Sequence, residues 1–142
     1  MIALVWSVLC SRPIVDGETN NISLIDVVEE AHIQTAGLPG ALPIQLTLVS
    51  LWAREHPDQP ERARGFIQFC DPAGAVQGDI SSEIDLTAHT RFRQIVRFVG
   101  LPISTVGVHW FNVFVEIEQA GAVTRNQVAR IPLDVILHEA AE

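Results

Sequence analysis

Apolar and polar side chains alternate with a period of two along much of this 142-residue chain. Successive side chains of a β-strand point to opposite faces, so this alternation is typical of strands with one face in a core. The segment 76–86 shows it most clearly, because Asp79 and Glu83 alternate with Ile80 and Ile84. Since no segment carries a long 3.6-residue periodicity, the sequence predicts an all-β protein.

Turn-forming residues divide the chain into about eight predicted strands. The sequence Asp71-Pro72-Ala73-Gly74 has the residues that a type I turn favours, which predicts a hairpin between the fourth and fifth strands. Pro13 is predicted to end the first strand, and Pro132 to lie at an edge or a bulge because it cannot donate a hydrogen bond. The eight predicted strands are 2–10, 21–30, 44–52, 65–69, 76–86, 91–98, 105–118 and 123–137.

Eight strands in one domain, residues 1–142, bury their inward faces most economically as two packed antiparallel sheets. The fifth and sixth strands are joined by residues 87–90, which lack a hairpin signature. We therefore expect these strands to cross from one sheet to the other, as in a Greek key. A direct hairpin would instead form ion pairs between the two strands. The pairs would be Asp85 with Arg91, Glu83 with Arg93, and Asp79 with Arg97.

The amino-acid composition argues against several classes of function. The formal net charge of -8 repels phosphate backbones, so nucleic acid is not expected as a partner. The chain contains neither lysine nor tyrosine, which excludes Schiff-base catalysis and a P-loop lysine. No stretch approaches 18 apolar residues, so no membrane span is predicted. Cys10 and Cys70 are expected to be buried, inert thiols in a reducing, cytoplasmic compartment.

One cluster of titratable residues could hold a divalent metal. His89 is close in sequence to Asp79, Glu83 and Asp85, and carboxylates beside an imidazole are common metal ligands. The acidic residues nevertheless follow simple strand alternation, which favours a solvated face. The sequence 138–142 begins like a zinc-protease helix but ends in Glu142, where a second histidine is required. The sequence therefore predicts no metal or other cofactor and favours a non-catalytic protein.

Two aromatic side chains of the seventh strand are the candidate binding residues. Trp110 and Phe114 share a strand face with Asn112, opposite the face of Phe111 and Val113. Three interpretations remain open for the two rings: core packing, a contact between subunits, or a platform on which a ligand such as carbohydrate stacks.

Four segments resemble a family of short bacterial proteins of unknown function with an immunoglobulin-like sandwich. The segments are Asn21-Ile22-Ser23-Leu24-Ile25, Leu42-Pro43, Asp71-Pro72-Ala73-Gly74 and Ile131-Pro132-Leu133-Asp134-Val135. The resemblance covers nearly the whole chain, but at His109-Trp110-Phe111 the family pattern has a tyrosine after glycine. It implies an immunoglobulin-like sandwich and supplies no catalytic residue.

From these observations we expect a non-catalytic protein-binding or assembly module that forms a homodimer. Trp110, Asn112 and Phe114 are its candidate contact residues. A metal-dependent hydrolase and a carbohydrate-binding module are the alternatives.

Overall fold

A computed structural model describes residues 1–34 and 38–138, which contain eleven strands and no helix. No helix long and apolar enough for a membrane span is therefore found in this part of the chain. The strands are β1 (Ile2–Val15), β2 (Ile22–Val27), β3 (Glu30–Gln34), β4 (Gly40–Ala41), β5 (Leu46–Arg54), β6 (Glu61–Cys70), β7 (Val76–Leu86), β8 (Arg91–Phe98), β9 (Pro102–Ile103), β10 (Gly107–Gln119) and β11 (Ala122–His138).

The strands form two main sheets in a sandwich-like arrangement, which confirms the all-β prediction. The four-stranded sheet has the order β2-β1-β5-β8, and the five-stranded sheet has the order β3-β11-β10-β6-β7. Strands β4 and β9 form a separate two-stranded sheet. Every strand pair is antiparallel except β3 with β11. The largest fully buried core side chains come from both main sheets and include Leu48, Trp52, Phe69, Ile84 and Phe111.

The prediction of about eight strands is wrong, because β3, β4 and β9 were not predicted as separate strands. The predicted strand 21–30 forms only β2, which pairs with β1, whereas β3 begins at Glu30 and pairs with β11. The chain changes sheets in between: Val28 N–H donates to the Leu9 carbonyl at 2.8 Å, and the Glu29 carbonyl accepts from Asp134 N–H at 3.0 Å. Strands β4 and β9, of two residues each, are too short to produce a readable alternation.

Pro13 does not end the first strand as expected. Strand β1 continues to Val15, and Pro13 pairs with Leu24 of β2. The turn that follows is stabilised by Asp16, whose carboxylate accepts hydrogen bonds from the backbone N–H groups of Glu18 and Thr19 at 2.8 and 2.9 Å. Such a side-chain cap on a turn is typical of aspartate.

The hairpin predicted at residues 71–74 is confirmed. Gly74 N–H donates to the Asp71 carbonyl at 2.9 Å, and Gly74 has a φ of 88°, which glycine adopts without strain. The Asp71 carboxylate also accepts from Ala75 N–H at 2.8 Å. The turn joins β6 to β7, which pair antiparallel along their whole length.

The predicted crossing between the fifth and sixth strands is also confirmed, because β7 and β8 lie in different sheets. The ion pairs of a direct hairpin therefore do not form. Within the described residues, Asp79 contacts Arg125 of β11 at 3.2 Å. The carboxylates of Glu83 and Asp85 lie 3.0 and 3.5 Å from Arg62 of β6.

Some side chains predicted to face the core are exposed. Ile84 and Leu86 are fully buried, but Val76 and Ile80 of the same strand are 52% and 40% exposed. Val76 follows a register shift in the pairing of β6 with β7, so it pairs with Cys70 in the outer-face row of Trp110. Ile80 lies on β7, which is the edge strand of the five-stranded sheet. Ile44 is likewise 41% exposed, because it precedes β5 instead of belonging to it.

Pro132 lies inside the five-stranded sheet, between Ile131 and Leu133 of β11. It pairs with Trp110 of β10, whereas β3 pairs with β11 only from Asp134 onward. Among the described strands, β11 therefore has a neighbour at Pro132 only on the side of β10. On the other side there is no strand to accept a hydrogen bond, so the missing N–H of Pro132 costs no bond there. The bulge of this strand pair lies elsewhere, between Val113 and Phe114.

Candidate functional site

Strand β10 presents the three predicted binding residues together on the outer face of the five-stranded sheet. Trp110, Asn112 and Phe114 alternate with Phe111 and Val113, which are buried in the core. All three are half-buried, and neither aromatic ring belongs to the core. The interpretation of the two rings as core packing is therefore wrong.

Two arginines of β11, Arg130 and Arg125, lie over aromatic rings on this face of the sheet. The guanidinium carbon of Arg130 lies 3.7 Å from the centre of the Trp110 ring. That of Arg125 lies 3.6 Å from the centre of the Phe66 ring on β6 and 5.9 Å from that of Phe114. A cation over an aromatic face is attracted by the ring quadrupole, which contributes about 0.5–1 kcal/mol at exposed sites.

Arg125 also reaches across the sheet. One of its terminal nitrogens lies 3.2 Å from the Asp79 carboxylate on β7, although β10 and β6 stand between these strands. The guanidinium is thus held by an aromatic ring below it and by a carboxylate at its edge. We call the surface made by Phe66, Trp110, Asn112, Phe114, Arg125 and Arg130 the arginine–aromatic face.

Asn112 lies between Trp110 and Phe114 on the same face of β10. Its side-chain nitrogen donates to the Cys70 sulfur at 3.5 Å, and its side-chain oxygen accepts from Gln127 at 3.4 Å. A shallow depression of about 480 Å³ lies beside it, and its walls include Trp110 and Arg130. This geometry offers an aromatic ring, an amide and a guanidinium to a bound molecule, but no nucleophile paired with a general base.

Within the described residues, no group of three histidine, cysteine, aspartate or glutamate side chains lies close enough to hold a metal ion. The Asp85 carboxylate instead accepts from the Thr87 hydroxyl at 2.6 Å and from the Thr87 N–H at 3.0 Å. These two bonds, with smaller contributions from Arg62 and His89, hold the pKa of Asp85 below its usual value. Residues 139–142 of the protease-like motif lie outside the described residues.

Both cysteines are free and buried, as predicted. Cys10 is in the four-stranded sheet and Cys70 in the five-stranded sheet. Burial raises the pKa of the Cys10 thiol, which disfavours the reactive thiolate. The Cys10 thiol therefore lacks the environment of a nucleophile.

His109 is a fully buried polar residue of β10 that was not among the predicted binding residues. Its Nδ1–H donates to the Gly107 carbonyl at 3.0 Å, and its ring stacks on Phe69 with 5.4 Å between centres. Its Nε2 has no partner in the part of the chain that the structure describes. The alternation of β10 contained the signal, because His109 has the same phase as Phe111. Phe66, Arg125 and Arg130 were missed as well, since they join the site only through strand pairing.

The chain was compared with known proteins: no protein-family model and no curated protein sequence matches it.

Proposed function

We propose that this chain is a non-catalytic protein-binding module with an immunoglobulin-like sandwich, and that it forms a homodimer through the arginine–aromatic face. The stacking of Arg125 and Arg130 on aromatic rings carries the proposal. The buried thiols suit a reducing cytoplasm, where they stay unpaired.

The strand order supports the immunoglobulin-like part. In an immunoglobulin domain the first, second and fifth strands share one sheet, and the third, sixth and seventh share the other. Here β1, β5 and β8 are neighbours in one sheet, whereas β6, β10 and β11 are neighbours in the other. Strand β7 lies beside β6, as an additional strand does in variable-type domains.

The composition of the arginine–aromatic face supports a protein interface. Tryptophan and arginine are the residues most enriched among those that dominate binding energy. A guanidinium stacked on a ring keeps its in-plane N–H groups available to a partner. The stacking already restricts the rotamers of Arg125 and Arg130, so little further entropy is lost on binding.

The charge pattern supports self-association. A twofold interface brings the same patch of both copies together, so that patch must be complementary to itself. The outer face of the five-stranded sheet carries Arg125 and Arg130 together with Asp79, Glu116 and Asp134. Arginines of one copy can therefore oppose carboxylates of the other. A carbohydrate platform is less favoured, because Arg130 already covers one side of the Trp110 ring.

Sedimentation equilibrium tests the proposal with the variants Trp110→Ala and Arg130→Ala. Each removes one partner of the same stack, and we expect the dimer dissociation constant to rise about 30-fold, because central interface residues contribute about 2 kcal/mol. The matched control is Arg12→Ala, an exposed arginine on the opposite sheet, which should leave the constant unchanged.

Thermal unfolding of each variant shows whether the fold is retained. A wild-type protein that stays monomeric at about 100 μM, well above typical dissociation constants of specific interfaces, would contradict homodimer formation. A dimer that both substitutions leave intact would show that another surface forms the interface.

A further inference from the structure

The outer face of the four-stranded sheet contains a cleft of about 640 Å³ beside the turn between β1 and β2. Trp6, Leu51 and Arg93 are paired in register across β1, β5 and β8, so they stand side by side in its wall. The turn contributes Asn20, whose backbone carbonyl accepts from the Arg93 guanidinium at 2.8 Å. His89 and Arg91 complete the basic side of the cleft.

The cleft is basic although the chain has a net charge of -8. Its described lining includes His89, Arg91 and Arg93 and contains neither aspartate nor glutamate. The Nε of Arg93 is buried and has no hydrogen-bond partner among the described residues. The acceptor that best fits an accessible guanidinium such as that of Arg91 is a carboxylate.

An apolar row lies next to the cleft on the same sheet face. It consists of Val8, Val49 and Ile95, which pair in register two residues along from Trp6, Leu51 and Arg93. Val49 is fully buried, so Val8 and Ile95 form the accessible part of the row. Ile95 is 40% exposed, and Val27 of the neighbouring strand β2 is 59% exposed. Basic groups and exposed apolar surface are therefore adjacent on one sheet face.

The spacing of the two rows fits an extended peptide. Rows two residues apart along a strand are separated by about 6.8 Å, which is also the distance between alternate side chains of an extended chain. One such peptide can therefore place a carboxylate in the cleft and an apolar side chain on the apolar row. A free anion would use only the first of these features.

We propose that the cleft binds an extended acidic peptide segment of a partner protein. A glutamate or aspartate of that segment lies between Arg91 and Arg93, and an apolar side chain two positions away packs on Val8 and Ile95. This site lies on the sheet opposite the arginine–aromatic face, so it is independent of homodimer formation.

Nuclear magnetic resonance can test the site with the capped peptide acetyl-Glu-Ser-Leu-Ser-Glu-amide. We expect saturable shifts of the Trp6 indole N–H and the Arg93 Nε–H signals. The indole signals of Trp52, which is fully buried, and Trp110, on the other sheet, should stay in place. The uncharged analogue acetyl-Gln-Ser-Leu-Ser-Gln-amide should bind at least tenfold more weakly.

The variant Arg91→Gln should weaken peptide binding about tenfold, which corresponds to about 1.4 kcal/mol. It is preferred over a change at Arg93, because Arg93 also holds the turn through Asn20. The matched control is Arg64→Gln, an exposed arginine on β6, which should bind the peptide as the wild type does.

Three results would overturn the proposal. Equal shifts with the glutamine peptide would show that charge is not recognised. Shifts of equal size with inorganic phosphate alone would indicate a site for small anions. Shifts that appear only with an oligogalacturonate, an acidic sugar chain, would indicate a glycan site.

Discussion

The side chain of Gln94 connects the two sheets through the core, and its removal should be costly. The Trp52 indole N–H donates to its Oε1 at 3.0 Å, and its Nε2 donates to the Ser82 hydroxyl. Trp52 and Gln94 belong to the four-stranded sheet and Ser82 to the five-stranded sheet. Trp52 is fully buried, so its N–H has no access to water once the acceptor is lost.

The substitution Gln94→Met keeps the length of the side chain and removes both hydrogen bonds. An unpaired buried donor costs about 1–3 kcal/mol, and Ser82 is only half-buried and can turn toward water. We therefore expect the free energy of unfolding to fall by about 2 kcal/mol. Trp52→Phe should cost more, about 2–4 kcal/mol, because it leaves the buried Oε1 of Gln94 without a donor and also removes buried volume.

A double-mutant cycle measured by urea denaturation separates the hydrogen bond from these other effects. The double variant has no orphaned partner, so its loss should be about 1–2 kcal/mol smaller than the sum of the single losses. As a control, Gln45→Met changes an exposed glutamine and should add to Trp52→Phe within about 0.5 kcal/mol. Additive losses for Gln94→Met and Trp52→Phe would refute the role assigned to this bond.

Two further predictions concern a glycine and the pH dependence of stability. Gly107→Ala should lower the free energy of unfolding by about 1–3 kcal/mol, because Gly107 has a φ of 117° and a Cβ there would meet Pro72 at 3.2 Å. Gly17→Ala, where a Cβ meets nothing within 4 Å, is its control in thermal denaturation and should be close to neutral. Hydrogen bonds lower the pKa values of Asp16 and Asp85, so their contribution is present above about pH 4 and is lost as the pH falls further. Melting temperatures of the Asp16→Asn, Asp85→Asn double variant should therefore fall less between pH 5 and pH 2 than those of the wild type, and an equal fall would contradict this assignment.

Side-chain alternation predicted the sheets correctly where a strand keeps one face in the core throughout. Strand β10 is such a case, with Phe111, Val113 and Val115 buried as expected. The turn at residues 71–74 was predictable because its hydrogen bonds are local. The crossing between the sheets at Val28 and Glu29 was not predictable, because the residues that form its hydrogen bonds, Leu9 and Asp134, are distant in sequence.

The candidate site was predicted only in part for the same reason. Trp110, Asn112 and Phe114 were found because they share one strand face. Arg125 and Phe66 come from different strands, and the bulge between Val113 and Phe114 changes the pairing register of β11. Alternation within a single strand contains no information about such a shift.

The position of β11 between β3 and β10 has a consequence for protein synthesis. Among the described strands β11 is synthesised last, so until then β3 has no strand partner and β10 has one only on the side of β6. Their backbone groups stay open to other chains until β11 arrives, and open strand edges promote aggregation. We therefore expect chaperone dependence to be concentrated in the interval before β11 leaves the exit tunnel.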